Sequence, residues 1–67
     1  MVVRMLVEYE VLGDDEYAYV EWFEQNVRGT HLPAHLNMVT RQKVLRDLVK
    51  RGIVIKSIKE LDISYED

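Results

Sequence analysis

The residues best able to do chemistry are few. His31 and His35 stand four positions apart, a spacing that sets two imidazoles on one side of a helix, where they can share a metal ion. Metalloprotease helices place Glu directly after the first His of such a pair. Here Leu32 follows, and Pro33 disrupts any helix running through both. The two read as loop histidines. The chain has no Cys, which removes thiolate ligands, thiol nucleophiles and disulfides together. With 12 acidic residues, some carboxylates must fall close together. The tightest group, Asp14-Asp15-Glu16, reads as a polar turn after Gly13. Neither a Gly-rich phosphate loop nor a Ser/His/Asp order is visible. The sequence assigns no catalytic residue, no metal and no cofactor, and it points away from an enzyme.

Charge is more informative. Arg4 is the one base among residues 1–27, set against Glu8, Glu10, Asp14, Asp15, Glu16, Glu21 and Glu24. Residues 28–59 hold every other Lys and Arg with Asp47 as their one acid, and residues 60–67 add Glu60, Asp62, Glu66 and Asp67. A field divided this way steers a partner or orients one subunit against another, unless the blocks neutralise each other within the fold.

Each block supplies a candidate surface. In the basic one, Arg41, Lys43, Arg46, Lys50 and Arg51 lie on a helix whose outer side gathers Lys43, Arg46 and Lys50 opposite Val44 and Leu48. Clustered cations of this kind bind phosphates. The stretch VTRQKVLRDLVKRGIV resembles the helix-then-strand segment of winged-helix DNA-binding domains, which implies nucleic-acid binding through the helix. The likeness ends there, because no second helical partner precedes it. In the acidic block, Tyr17 and Tyr19 accompany Glu8, Glu10 and Glu21. Carboxylates repel phosphates, so this surface suits a protein partner, for which Tyr gives contact area at low entropic cost.

The elements that position these residues follow from periodicity. Residues 2–12 alternate, with Val3, Met5, Val7, Tyr9 and Val11 on one side, and predict a strand. Residues 17–27 read as a strand or as a helix capped by Asp14 or Asp15, giving β-β-α-β or β-α-α-β. A two-residue turn at Asp14-Asp15 favours the hairpin. It pairs Val11 with Ala18, Tyr9 with Val20 and Val7 with Trp22, and it collects Glu8, Glu10, Tyr17, Tyr19 and Glu21 on the opposite face. That register also sets Glu8 directly against Glu21. Residues 28–37 read as a connection with a short turn capped by Thr30. A helix capped by Asn37 or Thr40 then runs to Gly52 with an apolar stripe of Val44, Leu45, Leu48 and Val49. Residues 53–63 predict the last strand, and residues 64–67 a frayed tail.

The fold class expected is α+β: one domain over residues 1–67, a three-stranded, largely antiparallel sheet with one helix packed on one face. A folded chain of 67 residues buries only about 60% of the surface its unfolded form exposes. Without disulfides or a metal, a homodimer is the default way to cover the rest. No apolar run is long enough to span a membrane or serve as a secretory leader, so a cytoplasmic location is expected. The function expected is a small regulatory or protein-interaction module of the inhibitor or adaptor kind, phage-encoded examples included. No membrane and no small-molecule substrate are anticipated, and nucleic-acid binding by the basic helix is the alternative.

Overall fold

The alternating segment at the start of the chain becomes the centre of the sheet. The computed structural model describes residues 1–29 and 32–66, and its element order is β1 (Val2–Val11), β2 (Ala18–Asn26), α1 (Pro33–Lys50) and β3 (Ile55–Glu66). Both flanking strands run antiparallel to β1, in the order β2-β1-β3. The small α+β domain with β-β-α-β order is thus the observed architecture.

Burial follows the pleat. Val3, Met5, Val7 and Tyr9 of β1 are buried beneath the helix, and Met5, Val7 and Tyr9 form one cluster with Phe23, Val44 and Leu48. Val3, Val27 and Leu36 make a second cluster at the other end. Each such side chain contributes about 1.5–3 kcal/mol on leaving water. The helix buries Leu36, Thr40, Val44 and Leu48, a straight row at four-residue spacing. Leu45 and Val49, expected in the core, are 44% and 72% exposed instead. The row is narrow because α1 lies over β1 and β2 and leaves much of β3 uncovered.

The helix begins seven positions before Thr40. Pro33 sits in its first turn, where a missing N–H costs nothing and the fixed φ is already helical. Proline therefore opens this helix rather than interrupting it. Thr40 is not a cap: it is fully buried and its hydroxyl donates to the Leu36 carbonyl at 2.7 Å. The other end stops as expected. Gly52 takes φ +77°, its N–H donates to Val49 O at 2.9 Å, and Ile53 N–H donates to Leu48 O at 3.0 Å. This closing pair of bonds satisfies carbonyls that a helix end leaves bare.

Two further expectations change. Ser64, Tyr65 and Glu66 belong to β3, paired with Arg4, Val3 and Val2, so they are not frayed. The expected cap Thr30, together with His31 and Asp67, lies outside the described residues. The radius of gyration is 12.6 Å, above the roughly 11 Å of a compact chain this long, and the molecule is a slab of 40 × 20 × 15 Å.

Candidate functional site

The site depends on how β2 lies against β1, and here the structure departs from the sequence by one residue. Glu10 opposes Ala18, Tyr9 opposes Tyr19, Glu8 opposes Val20, Val7 opposes Glu21 and Leu6 opposes Trp22. The cause is the loop. Rather than turning in two residues at Asp14-Asp15, the chain leaves β1 through a turn in which Asp14 N–H donates to Val11 O at 3.0 Å and Gly13 holds φ +90°. The Asp14 carboxylate then accepts from Glu16 N–H at 3.2 Å, widening the bend before β2 begins. A slip of one position turns every β2 side chain to the other face. It also removes the Glu8–Glu21 opposition and delivers Phe23, in place of Trp22, to the core.

The expected acidic, tyrosine-bearing face is therefore divided. Glu8 and Glu10 stay on the face away from the helix, half-buried, with Ser57 donating to Glu10 at 2.9 Å. Tyr19 and Glu21 sit on the helix side. Tyr19 stacks on Tyr9 with ring centroids 5.5 Å apart, and its hydroxyl donates to Asp14 at 2.8 Å. That bond, which the phenolate would lose, holds the Tyr19 hydroxyl above its ordinary pKa. Tyr17 precedes β2 and is 62% exposed outside the ladder.

Glu21 is a structural hub. Arg51 grips both its oxygens, at 2.7 and 2.9 Å, and Tyr9 Oη donates to it at 3.2 Å. The Arg51 hydrogen bonds keep this carboxyl below the usual carboxylate range, against the opposing effect of partial burial. Burial, with the Glu21 charge behind it, pushes the Tyr9 hydroxyl up. The Arg51 guanidinium carbon also lies 5.4 Å from the Phe23 ring centroid.

The basic candidates are largely engaged too. Arg41 donates to Glu60 at 2.7 and 3.0 Å, and Lys43 pairs with Asp47 at 2.9 Å, one turn along the helix. The Lys43 bond lowers the Asp47 pKa. With Arg51 on Glu21, only Arg46 and Lys50 of the five remain without an ion pair among the described residues. The divided charge thus closes partly on itself, since Lys56 also reaches Asp15 at 3.2 Å. His35 falls in the first turn of α1, and no group of three or more metal-ligating side chains forms among the described residues. No described helix is long and apolar enough to cross a membrane.

The slip exposes residues that sequence reasoning had put in the core. Val20 and Trp22 are 57% and 52% exposed on the open face, beside Leu6 and Ala18. Around them stand Glu8, Glu10, Glu24, Asp62 and Glu66, opposed by Arg4 and Lys59. Arg4 bridges the two flanking strands through Glu24 at 3.1 Å and Glu66 at 2.8 Å. The signal for this arrangement was the like-charge opposition of Glu8 and Glu21 in the two-residue-turn register. No protein-family model, curated protein or solved structure matches the chain.

Proposed function

We propose that this chain is a non-enzymatic protein-interaction module of the inhibitor or adaptor kind. In this reading it works in the cytoplasm as a homodimer and holds a partner protein against the open face of its sheet. The observation that carries the proposal is the exposed pair Trp22 and Val20 on a face that no described element covers, inside an acidic surround. Trp is the side chain most often responsible for binding energy when a flat surface closes over it. The partner that fits presents an apolar projection edged by Lys or Arg, because the surround carries more carboxylates than cations. Nucleic acid fits this face poorly, since its phosphates meet those same carboxylates.

The test compares affinity capture by the unmodified chain with capture by the double variant Trp22→Ala, Val20→Ser. Both positions are exposed, so circular dichroism should be unchanged while the captured partner is lost. Equal capture by both proteins removes the open face from the interaction. Retardation of duplex DNA at low salt, abolished by changing Lys43, Arg46 and Lys50 to Glu, would move the function to the helix.

A further inference from the structure

We infer that β3 is the dimer strand, pairing antiparallel with β3 of a second copy about an axis between Glu60 and Leu61. This gives a surface to the homodimer proposed above, and its test does not depend on the open-face partner.

Three observations converge on this edge. First, β3 pairs in the sheet with β1 alone, so its far edge has no ladder partner among the described residues. An unpaired edge of this kind is a template for another strand. Second, its helix side is incompletely covered. Ile58 is 40% exposed and Leu45 of α1 is 44% exposed, and they line a groove of about 300 Å³ that ends at the Arg41–Glu60 pair.

Third, the charges of β3 complement themselves. Lys56 is held by Asp15, Glu60 by Arg41 and Glu66 by Arg4. Lys59 and Asp62 are the charged residues of β3 left without an ion pair among the described residues. They lie on either side of the proposed axis.

The irregularity in the ladder makes the pairing geometrically consistent. Val7 opposes Glu60 and Leu6 opposes Asp62, so Leu61 is an extra residue at a bulge. Before it, Ile58 shares the helix side with Tyr9 while Ser57 and Lys59 share the open side with Glu10 and Glu8. After it, Ile63 shares the helix side with Met5 while Asp62 and Ser64 share the open side with Leu6 and Arg4. Reversing a second copy about the bulge sets Lys59 opposite Asp62 of the partner subunit and Ile58 opposite Ile63 of the partner subunit. Ser57 likewise meets Ser64 of the partner subunit. Each of these three facing pairs then shares a side. Without the extra residue, the same register would set each side chain against one pointing the other way. A parallel arrangement in register would oppose Lys59 to Lys59 and Asp62 to Asp62. The antiparallel self-pairing alone satisfies both charges, and a second copy is the occupant that supplies the matching pair by symmetry.

Sedimentation equilibrium tests this with Lys59→Asp and Asp62→Lys. The unmodified chain should be a dimer. Either single variant turns two attractive cross-strand pairs into two repulsive ones and should weaken dimerisation by about tenfold or more. An equimolar mixture of the two variants restores both pairs, and it should dimerise as tightly as the unmodified chain. Recovery in the mixture also shows that each variant is folded. A concentration-independent monomer of the unmodified chain, or single variants that dimerise undiminished, overturns the proposal. A mixture no tighter than either variant alone overturns this register. The Trp22→Ala, Val20→Ser protein should keep its dimer, so failure of the open-face reading and failure of this one give different results.

Discussion

The two strands that flank β1 receive opposite treatment. On the β2 side the chain is self-sufficient. Phe23 lies under the helix at 4% exposure, and Glu21 is gripped by Arg51 and touched by Tyr9. On the β3 side Ile58 is 40% exposed, and Lys59 and Asp62 have no ion partner among the described residues. One helix, about 10 Å across, covers about two strands set about 4.8 Å apart. Placing it over β1 and β2 covers one half of the layer and leaves much of the other half exposed. The Glu21 charge is met within the chain, whereas Lys59 and Asp62 have no ion pair among the described residues.

The largest effect that sharpens this contrast is truncation of one helix-side residue on each flanking strand. Phe23→Ala should cost about 3–5 kcal/mol in urea denaturation. Ile58→Ala, measured in the Lys59→Asp background that weakens the dimer, should cost about 1 kcal/mol, because much of its side chain is then in water. Equal losses would break the contrast, for they would mean that the β3 side is as closed as the β2 side.

The Glu21 hub gives a smaller and pH-dependent effect. Its carboxyl is held below the usual range in the folded state, chiefly by the Arg51 hydrogen bonds. Its contribution is therefore complete above the unfolded carboxylate pKa of about 4 and is lost as pH falls through the lower folded value. Glu21→Gln should reduce stability at neutral pH by about 1 kcal/mol, a figure suited to a half-exposed pair. It should also flatten the acid side of a plot of melting temperature against pH. An acid limb identical to that of the unmodified chain would show that the hub adds nothing to folding.

The smallest effect belongs to the helix flank. Val49→Ser should change stability by no more than about 0.5 kcal/mol, whereas Val44→Ala, in the buried row of the same helix, should cost about 2 kcal/mol. Thermal melts at a fixed low protein concentration separate the two. A costly Val49→Ser would place that side chain in the core.

Much of the fold was legible in the sequence, and its limits have physical causes. The alternation of Val3, Met5, Val7 and Tyr9 identified both the strand and its buried side, because a sheet covered on one face imposes period two. Gly52 identified the helix end, because few residues accept its backbone conformation. Pro33 misled, since the same ring that breaks a helix interior is favoured in the first turn. The stripe of Val44, Leu45, Leu48 and Val49 was broader than the buried row, because apolar side chains line the helix wherever something is to touch it, inside the chain or out. The candidate site failed on the loop. Two adjacent aspartates with a glycine before them close in more than one way, and the choice decides which face receives Trp22. The acidity of the open face survived the slip, through Glu8, Glu10 and Glu24. The tyrosines did not.

The strand order has a consequence in time. β1 pairs with β2 across a short loop, but Arg4 meets Ser64 only when the two far ends of the chain come together. Closing that long circuit is entropically slower than forming the hairpin or the helix, so β3 should dock last. Until it arrives, the central strand β1 has one edge without a partner.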